Sequence, residues 1–231
     1  MHFETEIKAA IFDIDDTLYD FRTLNREAIE ELDQYAQLHF GWTDGMFTQK
    51  YAALQKEMPG RMHFNGSCRN RILRIQKILE DNHLPLSPHA VVMYNLYWDT
   101  LLAGMRPRED AEETFSALKE RGITIGCCTD MTALMQLRKL ETMHLLRYTD
   151  FLVSSEEAGE EKPSAAMFRL AAEKAGCLPE ECLFVGDSYE KDYKGAKNAG
   201  MHALLFGSTP PADAGADAVC ELRAVLRILR L

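Results

Sequence analysis

The chain has 231 residues, of which 46% are hydrophobic and 27% charged, and its formal net charge is −10 at neutral pH. That length and apolar content can bury a sizeable core and fit a soluble globular enzyme of one large domain or two unequal ones. The acidic balance argues against nucleic acid or an anionic membrane surface as partner, and no apolar run reaches the roughly 18 residues of a membrane span.

The N-terminal residues show no secretory-signal pattern, which predicts a cytoplasmic protein. The six cysteines, Cys68, Cys127, Cys128, Cys177, Cys182 and Cys220, make no CxxC or Cys/His pairing. Buried reduced thiols are expected, with neither zinc nor a disulfide framework.

In chain order, Ile7 to Phe12 is a short apolar segment suited to a buried parallel strand. From Arg22 to Gly104 there is no strand signal. Leu24, Ala28, Leu32 and Tyr35 share one helical face; Phe47, Tyr51 and Leu54 mark a second helix, and Cys68, Ile72, Ile75 and Leu79 a third. A fourth is predicted from Ser87, as N-cap, through Val91, Tyr94 and Trp98. Pro59-Gly60 and Leu84-Pro85 punctuate the block. It reads as a helical unit, residues 21–105, inserted into a core made of 1–20 and 106–231.

Beyond Pro107, helix and strand alternate. A helix through Phe115 closes at Gly122 and leads into a strand over Ile123 to Cys128. Leu134 and Leu137 begin another helix, and Phe151 to Val153 is a short strand. Pro163 is expected as the first residue of the next helix. The strand Cys182 to Val185, a helix through Gly195 and Ala196 to Gly200, and the strand Ala203 to Phe206 follow. Pro210 to Gly215 reads as a surface loop before a closing helix over Leu222 to Leu229. This rhythm predicts an α/β core, a Rossmann-like parallel sheet with helices on both faces.

In such sheets, ligands bind at the carboxyl ends of the strands. There the sequence places Asp13, Asp15, Asp16 and Thr17, then Thr129 and Asp130, then Lys162, then Gly186, Asp187 and Ser188, with Asp192 further on. Converging carboxylates need a positive group between them. Oxygen donors without His or Cys favour a hard cation such as Mg²⁺. A carboxylate nucleophile, a second carboxyl to move protons, a hydroxyl and an ammonium together fit phosphoryl transfer. Singly, each piece also has a plainer reading: a turn at Asp13 to Asp16, a helix cap at Thr129, an exposed lysine before a proline. Their joint order is what points to a site.

FDIDDTL at Phe12 to Leu18, Thr129 after a strand, Lys162-Pro163, and GDSYEKD at Gly186 to Asp192 resemble the four ordered motifs of the haloacid dehalogenase-like superfamily. The helical unit resembles its type-1 cap, with hinges near Tyr19 to Arg22 and Met105 to Arg108. The resemblance implies a Mg²⁺-dependent phosphatase of a small phosphorylated metabolite, of the nucleoside monophosphate or sugar phosphate class. Asp13 would be the nucleophile and Asp15 the general acid and base. Thr129, Asp130 and Lys162 would face the phosphoryl group. Asp13, the carbonyl of Asp15, and Asp187 would hold Mg²⁺, with Asp192 in support.

Relatives often carry Asn where Asp130 stands, so the contacts of Asp130 are an open question here. Asp16 is expected to accept backbone hydrogen bonds in the turn. In the insert, Arg61, His63, Asn65, Arg69 and Arg71 form a basic cluster that reads either as a solvated face or as substrate contacts. Trp42, Phe47, Tyr51 and Trp98 are expected in the core of the bundle. A phosphomutase on the same motifs and a non-catalytic binder of phosphorylated metabolites are the alternative functions.

Overall fold

The structure, a computed structural model of the chain, describes residues 5–61, 66–207 and 217–230. Six strands form one sheet: β1 (Ala9–Phe12), β2 (Thr124–Thr129), β3 (Phe151–Ser154), β4 (Cys182–Gly186), β5 (His202–Phe206) and β6 (Ala218–Val219). All pairings are parallel and the order is β3-β2-β1-β4-β5-β6. Every residue of β1 is buried, because β1 lies at the centre and helices cover both faces.

Alternation along β1 divides its side chains between two cores. Ala10 and Phe12 pack with Phe115 and Leu118 of α5 (Ala111–Glu120), the Phe12 and Phe115 rings lying 4.8 Å apart. Ala9 and Ile11 pack with Phe168 and Ala171 of α8 (Ala165–Ala175) and Ala196 of α9 (Lys194–Asn198). The other core helices are α6 (Ala133–Thr142), the single turn α7 (Ser155–Ala158), and α10 (Ala224–Leu229).

Between β1 and α5 the described chain is helical. It holds α1 (Phe21–Phe40), α2 (Met46–Arg61), α3 (Arg71–Asp81) and α4 (His89–Gly104). Asp20 caps α1 by accepting from Thr23 N at 3.1 Å. The buried Asp33 of α1 accepts from Gly45 N and Thr48 N at 2.9 and 3.1 Å, satisfying free amides at the start of α2. Phe47, Tyr51 and Trp98 are buried in this unit, with Trp42 packed against them. The two connections to the sheet run side by side, since Arg108 N donates to Leu18 O at 2.7 Å. None of the described helices is long and apolar enough to cross a membrane. Among the cysteines, Cys177 is half-buried and Cys220 exposed; the other four are buried, and none is in a disulfide.

Several boundaries differ from the sequence reading. Pro59 and Gly60 lie in the last turn of α2, where the N–H that proline lacks costs one hydrogen bond near an end that frays in any case. Ser87 does not cap α4, which starts at His89 behind Pro88 with no side-chain cap. Pro163 lies outside α8, because Ser164 is its N-cap and accepts from Ala166 N at 3.2 Å. Instead of one helix ending at Gly200, a π-helical turn over Tyr189–Tyr193 precedes α9. The short strand β6 was not foreseen. The predicted loop Pro210 to Gly215 lies outside the described residues.

Candidate active site

Chain order runs from β1 outward through β2 to β3, then crosses to β4 on the other flank of β1. The ends of β1, β2 and β4 therefore open a crevice at the point where the order reverses. Asp13, Asp15, Thr129, Asp130, Lys162, Asp187 and Asp192 all line a cavity of about 180 Å³ there.

Asp13 is anchored by its backbone, whose N–H donates to Val185 O at 2.9 Å. Lys162, only 4% exposed, places Nζ 2.7 Å from Asp13 Oδ1 and 2.6 Å from Asp192 Oδ1. The loop holding the lysine is fixed by Asp130, whose Oδ1 accepts from Lys162 N at 2.9 Å while its Oδ2 pairs with Lys191 Nζ at 2.6 Å. Both oxygens of the Asp130 carboxylate are thus engaged, and an anion would find only its backbone available. The second oxygen of Asp192 accepts from Ser188 N at 2.9 Å. The π-helical turn brings Asp192 back against Gly186, where a Cβ would stand 2.5 Å from its carboxylate. Only glycine admits that approach.

One oxygen from each of Asp13, Asp187 and Asp192 lies within 4.8 Å of the other two. Lys162, together with the exposed Arg22 whose Nη2 lies 3.3 Å from Asp187 Oδ2, does not balance three carboxylates. Burial, reinforced by Asp192 and Asp15, pushes the Asp13 carboxyl up against the opposing pull of Lys162. Burial together with Asp192 and Asp16 raises Asp187 to about 6. Clustered oxygen donors in charge excess, free of His and Cys, fit a hard divalent cation.

Asp15 has partners that the sequence did not disclose. Its Oδ1 accepts from Tyr19 OH at 2.6 Å and from Lys139 Nζ at 2.6 Å. Lys139 is fully buried, near the rings of Tyr19, Phe21 and Trp98. Burial alone would raise the Asp15 carboxyl, but the Lys139 ammonium, with the Tyr19 hydroxyl and the Arg71 charge, holds the group below its ordinary value. Asp16 faces away from this pair and accepts from Arg22 N at 3.0 Å, a backbone contact of the expected kind.

Thr129 does not cap a helix. Gln136, buried on α6, donates from Nε2 to Thr129 Oγ1 at 2.9 Å and to Asp130 O at 2.8 Å, which orients the hydroxyl. The only hint of Gln136 and Lys139 in the sequence is their i,i+3 spacing on a helix that starts just past a strand end.

The residues singled out in the insert are described only in part. Arg61 ends α2, while His63 and Asn65 lie outside the described residues. Arg69 does line the cavity, but Nε and Nη2 are taken up by Glu161 at 2.8 and 2.7 Å. Arg71 of that cluster is not on a solvated face, for it is buried at the same cavity, as is Arg74 one turn on.

Comparison with known proteins agrees with this geometry. A family model described as haloacid dehalogenase-like hydrolase matches residues 7–200. A ribulose-1,5-bisphosphate 5-phosphatase from Halopiger xanaduensis is 31% identical over 208 residues, 89% of this chain and 87% of that protein. A glyceraldehyde 3-phosphate phosphatase from Methanopyrus kandleri is 35% identical over 196 residues, 84% of this chain and 82% of its own length. The crystal structure of a HAD phosphatase from Thermococcus onnurineus superposes with a TM-score of 0.76 at 21% identity, covering 96% of this chain and 98% of that one.

Proposed function

The chain belongs to the haloacid dehalogenase-like hydrolases, and from that premise we propose that it is a Mg²⁺-dependent phosphatase of a small sugar phosphate. The observation that carries this reading is Lys162, buried between Asp13 and Asp192 at the mouth of the sheet. The relatives named as sugar phosphate phosphatases support the substrate class. So does the cavity, which is smaller than the roughly 300–1,000 Å³ of drug-sized sites and has Phe21 as its one aromatic wall among the described residues. A nucleoside base would have little to stack on.

In this mechanism Asp13, Asp187 and the carbonyl of Asp15 would hold Mg²⁺, with Asp192 in support. Bound there, the ion supplies positive charge to the phosphoryl oxygens and keeps the carboxylates ionised. An oxygen of Asp13 attacks phosphorus, and the bond to the leaving oxygen breaks as Asp15 delivers a proton to it. Asp15 then takes a proton from water, the water oxygen bonds to phosphorus, and the bond to Asp13 breaks to release phosphate. Lys162 and the Thr129 hydroxyl, aimed by Gln136, stabilise the oxygens in both steps.

The Lys139 contact bears on the proton. In the free enzyme it favours ionised Asp15, which suits the second step. The arriving phosphate adds negative charge beside Asp15 and raises the proton affinity of its carboxyl, so that a proton taken up from water is held for the first step. Both bonds fall on Oδ1, leaving Oδ2 for the proton in transit.

Hydrolysis of an aryl phosphate and of a panel of C3 to C6 sugar phosphates tests the reading. Turnover should require Mg²⁺, stop with chelator and return on adding the ion; a full panel without turnover overturns the assignment.

The raised carboxyls of Asp13 and Asp187 set a further expectation. Cation binding must displace the protons they hold, so apparent Mg²⁺ affinity should weaken as pH falls from 8 to 5, by up to about tenfold per unit for each proton displaced. Calorimetry in buffers of different ionisation heat would count those protons. A pH-independent affinity would show that the carboxylates are already ionised.

A further inference from the structure

Two buried arginines of the helical unit have no ion-pair partner among the described residues. Asn70 accepts from Ile72 N at 3.2 Å and starts α3, which sets Arg71 and Arg74 on one helical face. They are 5% and 2% exposed. Arg71 donates to Tyr97 OH at 3.1 Å and to Arg69 O at 2.7 Å, and it meets Met131 Sδ at 3.4 Å. Arg74 donates to Tyr51 OH at 3.2 Å and to Cys68 O at 3.3 Å, while its buried Nε has no partner. Neither guanidinium forms an ion pair among the described residues. Asp15, whose charge acts on Arg71, is already bonded by Tyr19 and Lys139. Burial pushes the Arg74 guanidinium below its usual range, and repulsion from Arg71 and Arg69 adds to this.

Buried charge without a counter-ion is costly, and hydroxyls and carbonyls compensate it only in part. Both arginines line the cavity that holds Asp13, Thr129 and Lys162. The cavity thus has two poles, a floor that handles one phosphoryl group and a guanidinium roof that the chemistry at Asp13 leaves unused. Guanidinium forks match carboxylates and phosphates.

We propose that Arg71 and Arg74 hold a second anionic group of the substrate, a phosphate or a carboxylate, carried a few carbons from the phosphate that Asp13 attacks. The proposal rests on the phosphatase reading and narrows its substrate to small phosphate esters with two anionic ends.

Matched pairs of substrates test it: ribulose 1,5-bisphosphate against ribulose 5-phosphate, and 3-phosphoglycerate against glycerol 3-phosphate, with an aryl phosphate as reference. In the wild type, kcat/KM should favour the doubly anionic member of at least one pair by about tenfold or more. A preference confined to the first pair identifies the second group as phosphate; one confined to the second pair identifies it as carboxylate. Arg74→Met and Arg71→Met should bring the ratio toward one, mainly through KM, and Arg74→Lys should retain part of it.

A wild-type ratio near one in both pairs overturns the proposal, with no variant needed. So does a ratio unchanged in folded variants, which would mean that the arginines serve the transferred phosphate or the fold. If no ester is hydrolysed, the aryl phosphate included, the phosphatase reading falls by itself. Calorimetric binding of the same pairs to the wild type then decides the subsite, equal affinity within each pair being the result against it.

Discussion

Asp13→Asn is expected to abolish turnover and to leave the fold at least as stable as before. The amide keeps the shape of the carboxylate but cannot attack phosphorus, and loss of an enzyme nucleophile costs on the order of 10⁴–10⁶ in kcat. The stability half follows from the site's charge. Asp13 is 6% exposed among other carboxylates, and its carboxyl is pushed up by that burial. A carboxyl raised on folding opposes the native state once it ionises, so its removal relieves the metal-free protein more as pH rises from the unfolded value of Asp toward the folded one. Lys162 keeps Asp192 as partner at 2.6 Å. Thermal melts without metal from pH 5 to 8, beside the aryl phosphate assay, check both halves. A variant that is inactive because it unfolds would remove the argument for Asp13 as nucleophile.

Lys162→Met should damage both activity and fold. The lysine is buried against Asp13 and Asp192, and these carboxylates outweigh the cost of its burial and hold the ammonium well above its ordinary pKa. Its contribution is complete below the unfolded pKa of lysine, hence across the whole working range, and is lost only as pH rises through the higher folded value. Removing one partner of a buried pair costs about 3–5 kcal/mol, which for a chain of this size lowers Tm by on the order of 10 °C. The stranded carboxyls must then take up protons to remain buried, so the variant should lose stability as pH climbs from 5 to 8, and Mg²⁺ should restore part of it. Activity should drop by about 10³-fold or more, since charge on the phosphoryl oxygens goes unbalanced. A melt matching the wild type at every pH would show that the ammonium is not compensating those carboxylates.

The site elements at strand ends were readable because a buried parallel strand is a short apolar run, and whatever polar residue follows it falls at the sheet edge. Asp13, Thr129 and Asp187 could be placed on that ground. What escaped reading lies on elements where the site's demands invert the usual pattern. On α6, Leu134 and Leu137 look like the inward face, yet Leu134 is 68% exposed while Gln136 and Lys139 are buried. Their polar groups point inward because Thr129 and Asp15 need donors there, a need that no hydrophobic period can signal. Arg74 was hidden likewise, since arginines on a helix ordinarily read as solvated, and for Arg71 that reading stood beside substrate contact. Arg69 was singled out, but its carboxylate partner is 92 residues away in sequence. Helix starts at Ser87 and Pro163 were misjudged by one or two residues, the scale on which competing caps decide.

Glu161 and Lys162 are consecutive residues that pull in opposite directions. The lysine reaches down to Asp13, and the glutamate grips Arg69 of the helical unit through two hydrogen bonds and accepts a third from Cys68. Any movement of the unit away from the sheet would have to break that grip, one peptide bond from the Lys162 backbone. The peptide between the glutamate and the lysine stays held by the core, since Asp130 Oδ1 accepts from Lys162 N at 2.9 Å and Lys191 Nζ stands 3.5 Å from Glu161 Oε2, so a pull on the glutamate meets that anchor before it reaches the lysine. The fastening of the helical unit and the site's ammonium thus sit on consecutive residues of one anchored stretch of chain.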